Sequence, residues 1–213
     1  MPVFRLNDEM IFPRPQLAEP DGLLAVGGDL SVERLLLAYS YGIFPWFNEG
    51  DEIMWWCPHE RWIIRPKEIH ISHSMKKFMR KHKVDVILNR DFRDTMHRCR
   101  LKREFAEGTW ITDDMEKAYY RLHRIGAAMS VESYFDGELA GGLYGECIGR
   151  SFIGESMFTE IENGSKAALI GLANILAEND FNMIDCQLHT DHLESMGAEM
   201  ISYDEYMKLL RTV

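Results

Sequence analysis

The sequence predicts an α+β protein in two parts, a small N-terminal α/β lobe over residues 1–60 and a larger unit over 61–213. Three observations carry this. Composition changes near residue 60, where a Pro-, Gly- and aromatic-rich segment gives way to regular patterning. Between 128 and 158 three apolar runs follow one another, the first two joined at Asp136-Gly137, a strong hairpin signal. Around them lie helical stretches with recognisable starts and stops.

In chain order, "GLLAVGGDLSVERLLLAYSYGIFPWF" breaks at Gly27-Gly28. Ser31 then serves as N-cap for a helix over 32–40, and Gly42 ends it. "IFPWF" and "IMWWCP" place Trp46, Trp55 and Trp56 in the lobe, mostly as core. "ERWIIRP" reads as a strand, 72–82 as a basic helix, "VDVIL" (84–88) as a strand and 91–102 as a helix. The next helix has Thr112 as N-cap, Asp113 and Asp114 in its first turn and Gly126 as terminator. Strands "AMSVESYF", "GELAGGLYGECIG" and "RSFIGESMF" follow, then a helix over 165–179 and a strand at 183–187. A short helix near 190–196, a stop at Gly197, strand "AEMIS" and a helix from 203 complete the chain. Three antiparallel strands, a helix, a strand, then helix and strand is the element order of an N-acyltransferase (GNAT) core. By that analogy the larger unit is GNAT-like.

At 213 residues, 46% hydrophobic and 27% charged, the chain has a globular composition. No apolar run approaches the ~18 residues of a membrane helix. "MPVFRLNDEMIFPRPQ" lacks the features of a signal peptide, so a cytoplasmic protein is expected. Cys57, Cys99, Cys147 and Cys186 form no CxxC pair, which argues against a zinc site or a disulfide framework. Net charge is −10, yet Arg61 to Arg103 holds 14 Lys/Arg against 4 Asp/Glu, leaving −20 for the remainder. Such a run is either a phosphate-facing patch or a solvated helix face.

The chemistry concentrates in "NMIDCQLHTDHL" (182–193). Asp185 and Gln187 interrupt a buried strand two residues apart, and i, i+2 side chains share a strand face. If Asp185 receives a hydrogen bond from the Gln187 carboxamide, the Gln187 carbonyl oxygen is oriented to accept one from an incoming amine. Glu155 is a second carboxylate in an apolar strand, which the topology makes a neighbour of the Asp185 strand. Set among Phe152, Phe158, Leu169 and Ile184, these groups make an apolar cleft with a few polar points. The turn "TEIENGSKA" puts Glu160 and Glu162 where the pyrophosphate of coenzyme A would dock, so acyl-CoA is not the expected donor. Other readings stand beside this one. Asp185 fits a strand-end residue bonded to backbone. Cys186 is a core thiol or, with His189, the nucleophile of a thiol enzyme. His189, Asp191 and His192 are exposed helix residues or metal ligands, and a non-catalytic RNA-binding protein is the remaining class.

The blocks "GLLAVGGDLSVERLLLAYSYGIFPWF", "WWCP", "GTWIT", "GGLYGECIG", "FIGESMF", "SKAAL" and "IDCQ…HLESMGA" together resemble the leucyl/phenylalanyl-tRNA–protein transferase family. The chain departs from that family at Met129, where His is usual, and at Tyr134, where Trp is usual. The resemblance implies transfer of Leu or Phe from aminoacyl-tRNA to the N-terminal amine of proteins beginning with Arg or Lys, a step of the N-degron route. It implies no metal and no organic cofactor. It points to Asp185, Gln187 and Glu155 as catalytic, with Glu155 holding the acceptor amine or its cationic side chain. It maps Leu143, Phe152, Leu169, Leu172 and Ile184 to the pocket for the donor side chain. Trp46, Tyr39 and Trp110 become contacts of the terminal adenosine, and the basic 61–103 stretch receives the tRNA acceptor stem.

Overall fold

The lobe at the N-terminus is built on a four-stranded sheet. A computed structural model describes residues 3–104 and 109–211. Strands β1 (Phe4–Leu6) and β2 (Leu23–Gly27) come first, then helix α1 (Val32–Ser40), β3 (Phe44–Pro45) and β4 (Met54–Trp56). The sheet runs β1-β2-β4-β3. Its centre is Trp55, fully buried, with Nε1 donating to the Gly27 carbonyl at 2.9 Å and Phe12 edge-on at 5.0 Å. Ser31 caps α1 by accepting from the Arg34 amide, the role its residue type predicts.

The larger sheet takes β5 (Glu60–Ile64), β6 (Val84–Leu88), β7 (Ala128–Phe135), β8 (Glu138–Ile148), β9 (Ser151–Thr159), β10 (Met183–Gln187) and β11 (Glu199–Ser202). Between them run α2 (His73–Lys81), α3 (Phe92–Glu104), α4 (Asp113–Arg124), α5 (Gly164–Glu178) and α6 (Asp191–Ser195), with α7 (Tyr203–Arg211) at the end. Strand order is β11-β5-β10-β9-β8-β7-β6. The β6–β9 meander is antiparallel, and α5 crosses over to lay β10 parallel to β9, as the expected N-acyltransferase-like order requires. Asp136 (φ 52°) and Gly137 (φ 94°) turn the β7–β8 hairpin, both left-handed as a type I′ turn demands. Strand β5 is the feature that local pattern does not reveal. It leaves the lobe and inserts antiparallel between β10 and β11.

Strand alternation sorts the core into two layers. Val131, Leu143, Phe152 and Ile184 face α5 and α2, meeting Ala168, Leu169, Leu172 and Met75. Tyr144, Ile153 and Met183 face the other way, toward Tyr39 of α1, Met96 of α3, Tyr119 of α4 and Tyr206 of α7. Each fully buried Leu of α5 contributes about 1.5–3 kcal/mol. The start of α5 presses on β8 so closely that a Cβ at Gly164 would lie 1.8 Å from the Ala140 oxygen. Gly164→Ala is therefore expected to abolish soluble folded protein, checked by circular dichroism of the purified variant.

Candidate functional site

Two adjacent bulges build the site. In β9, Gly154 faces Gly145 and Ser156 faces Tyr144, so Glu155 is the extra residue. In β10, Asp185 faces Ile63 and Gln187 faces Trp62, so Cys186 is skipped. Gln187 is left-handed at φ 61°, rare for a residue other than Gly. The β9–β10 ladder ends at Ile153↔Asp185, and beyond it the strands part. A cavity of about 470 Å³ occupies the gap. One end is lined by Leu143, Phe152, Leu169 and Ile184 from the α5 layer, the other by Glu155, Asp185 and Gln187 from the opposite layer. Trp46 and Trp110 stand on its walls, Trp46 being 43% exposed.

The polar end differs from the arrangement that i, i+2 spacing predicts. The left-handed turn at Gln187 breaks the alternation, and Asp185 does not hold the carboxamide. Glu155 does: Gln187 Nε2 donates to Glu155 Oε1 at 3.0 Å. Tyr39 donates to the same oxygen at 2.8 Å, and Tyr119 to Oε2 at 3.4 Å. Gln187 itself lines the cavity. Asp185 is fully buried and accepts the Gln187 backbone N–H at 2.8 Å through Oδ1. Its Oδ2 meets the Arg61 guanidinium and the Tyr206 hydroxyl, the latter at 2.9 Å. Burial works against the Arg61 charge, but Asp185 and then Tyr206 outweigh it and raise its pKa.

Burial lifts the Glu155 carboxyl to about 7, against the pull of the Tyr39 hydrogen bond. Beside it lies Glu146 of β8, fully buried. Burial, then the Glu155 charge, pushes the Glu146 carboxyl well above the usual carboxylate range. Sequence reasoning missed Glu146, Arg61, Tyr119 and Tyr206 as members of this cluster. Glu146 alone carried a signal, a carboxylate inside "GGLYGECIG".

Other expectations need correction. Leu172 is fully buried in the α5 layer and is not among the residues lining the cavity. Tyr39 is 1% exposed and spends its hydroxyl on Glu155, so it offers no face to an adenosine. Met129, where the family usually has His, packs against Cys147 at 3.4 Å and is not among the residues lining the cavity. Cys186 lines the cavity, but burial and then the Asp185 charge raise its thiol well above the usual range. His189 bonds Glu194 at 2.9 Å and packs on Trp62 at 4.4 Å, so no Cys/His pair forms. Cys186→Ala is accordingly expected to keep turnover within about threefold, since a protonated thiol is a poor nucleophile. An initial-rate assay checks this. His189, Asp191 and Glu194 bring ligand atoms within 4.8 Å of one another, all exposed.

The basic stretch is not one continuous face. Arg61 is buried. Arg65, Lys67, Lys83 and Arg100 pair with Glu199, Asp180, Asp85 and Asp113, while Arg98 and Lys102 share Glu160. Lys76, Lys77, Arg80 and Lys81 of α2 remain as an exposed cationic group. The Arg103 side chain and residues 105–108 lie outside the described residues. No helix among the described residues is long and apolar enough to cross a membrane.

Comparison with known proteins gives concordant matches. Residues 63–211 match the family model described as leucyl/phenylalanyl-tRNA protein transferase, and residues 28–59 match that family's N-terminal domain. The leucyl/phenylalanyl-tRNA–protein transferase of Syntrophobacter fumaroxidans is 53% identical over 99% of this chain and 90% of its own length. That of Flavobacterium psychrophilum is 46% identical over 97% of this chain and 98% of its own. Among solved structures, L-PGS from Bacillus licheniformis aligns over 90% of this chain and 63% of that chain, at TM-score 0.44 and 12% identity.

Proposed function

Because the chain belongs to the leucyl/phenylalanyl-tRNA–protein transferase family and is an aminoacyltransferase of that kind, we propose that its acceptors are proteins beginning with Arg or Lys, whose N-terminal α-amine receives the Leu or Phe. The products would enter the N-degron route in the cytoplasm. The observation carrying this reading is one cavity with a hydrocarbon end and a carboxylate end, joined through the gap between β9 and β10.

The tRNA ester is already an activated acyl donor, so aminolysis needs a neutral amine held in line. An α-amine with pKa ~7.7–8.0 is roughly a tenth to a fifth neutral at pH 7. Glu155 attracts the ammonium, and its carboxyl, near 7, can take the proton that the ammonium must lose. The Gln187 carbonyl then accepts from the amine and aims its lone pair at the ester carbon. The N–C bond forms, the C–O bond to ribose breaks, and the ribose oxygen gains a proton from the amine. Asp185 acts through the backbone, by holding the left-handed turn that presents Gln187.

Leu143, Phe152, Leu169 and Ile184 receive the donor side chain, Trp46 and Trp110 the terminal adenosine, and the α2 cations the acceptor-stem phosphates. We place the division between lobe and catalytic domain at residue 60, where the chain passes from one sheet to the other. The test is labelled Leu-tRNA with peptides beginning with Arg, Lys or Gly: label is expected on the first two only, and equal labelling of all three would refute the acceptor assignment. Size discrimination in such a pocket is worth about 1–3 kcal/mol per methylene. Leu169→Ala is therefore expected to raise the ratio of Phe to Leu transfer by about tenfold, read by competition between the two aminoacyl-tRNAs.

A further inference from the structure

Arg61 joins both walls of the cavity. It arises from β5, and its guanidinium is stacked between the Phe44 ring at 5.3 Å and the Tyr206 ring at 4.3 Å. Nη1 donates to the Gly42 carbonyl of the lobe. Nη2 donates to Asp185 Oδ2 and lies 3.5 Å from the Tyr206 hydroxyl. Gly42 permits this approach: at φ +71°, a Cβ there would sit 2.6 Å from the Tyr206 ring. Of the two groups the fork reaches, Asp185 lines the cavity, and Gly42 lies two residues before Phe44, which also lines it. One arm holds the turn leading into Phe44. The other holds Asp185, whose second oxygen holds the Gln187 amide at 2.8 Å.

A buried ion pair is weak evidence for stability, because desolvation offsets much of its attraction. What it provides here is geometry. A planar fork reaches two acceptors in fixed directions, which a single ammonium does not. We propose that Arg61 and Tyr206 are positioning residues for the transfer reaction, clamping the lobe wall at Phe44 to the strand that carries Asp185 and thereby fixing the left-handed presentation of Gln187. This rests on the reading of Gln187 as the group that orients the acceptor amine.

The test compares Tyr206→Phe and Arg61→Lys with the wild-type chain. Tyr206→Phe keeps the ring beneath the guanidinium and removes the hydroxyl's bond to Asp185, with its longer contact to Arg61 Nη2. It is expected to lower kcat about tenfold with the KM for aminoacyl-tRNA within twofold. Arg61→Lys can serve Gly42 or Asp185 but not both, and is expected to lower kcat/KM by about 30-fold or more while raising the KM for aminoacyl-tRNA. A second readout needs no acceptor: the Gln187 backbone amide should exchange its hydrogen at least about fivefold faster in either folded variant, followed by NMR. Unaltered exchange at Gln187 in folded Tyr206→Phe, whatever its turnover, overturns the clamp. Should Arg61→Lys fail to fold, Tyr206→Phe alone decides. Faster exchange at Gln187 with unchanged kcat would instead refute the orienting role of Gln187, and the clamp's part in transfer with it.

Discussion

Gln187→Ala is expected to lower kcat for transfer by about 100-fold, with affinity for aminoacyl-tRNA within twofold. Loss of one positioned proton-handling group, or a small misplacement of reactants, costs about that much. The carboxamide nitrogen is bonded to Glu155 and Gln187 lines the cavity, so truncation removes the acceptor proposed to face the amine and leaves Leu143, Phe152, Leu169 and Ile184 in place. Gln187→Glu serves as the isosteric control. It keeps an oxygen in place but sets a second carboxylate against Glu155, and like charges this close are unfavourable. Its expected signature is low activity that partly recovers as pH falls and one of the two carboxyls takes a proton. Steady-state kinetics with both substrates varied, beside a filter-binding measurement, separates the two effects. Equal losses in binding and turnover would refute an orienting role.

Glu155 carries the second large effect, in pH dependence. Its ionised form accepts from both Gln187 and Tyr39. With the folded carboxyl at about 7, transfer is expected to fall as pH drops through 7, over and above protonation of the amine. Glu155→Gln is expected to lose about 30-fold or more in kcat/KM at pH 8 and to lack this acid limb. Stability moves the other way. The folded carboxyl binds its proton more tightly than the ordinary value of 4.5. This group's contribution to folding is therefore fully present at low pH, declines as pH rises between 4.5 and about 7, and stays reduced above. Glu155→Gln removes the buried charge and should melt a few degrees higher than wild type at pH 8, a loss of function with a gain of stability. Thermal melts at pH 5 and pH 8 check this: the variant's advantage should shrink at the lower pH.

Local signals in the sequence were enough to lay out most of the larger sheet. Thr112 and Ser31 mark helix starts because their side chains satisfy otherwise unpaired amides, and Asp136-Gly137 specifies a hairpin because both residues tolerate positive φ. That β9 and β10 are neighbours followed from element order, and the structure shows them parallel. What was not legible is long-range. Nothing in "ERWIIRP" tells that β5 enters the sheet between β10 and β11, or that Arg61 belongs beneath Asp185 rather than on a phosphate-facing surface. The pairing of Asp185 with the Gln187 carboxamide failed for a specific reason. Alternation holds only while the backbone stays extended, and the left-handed turn at a non-Gly residue gives no local warning. Tyr39 shows the opposite case. It shares a helix face with Leu35, an apolar pattern that fits burial, and in the structure it is buried.

Where β9 and β10 part, one cavity is bordered by side chains from both faces of the sheet. In the proposed reaction the donor's side chain is chosen by residues of the α5 layer, and the amine is handled by Glu155 and Gln187, of which Glu155 bonds Tyr39 and Tyr119 of the other layer. Preference for one amino acid over another can therefore be retuned from one face of the sheet with little disturbance to bond-making, and a library confined to the α5 side is the place to seek transferases with new cargo.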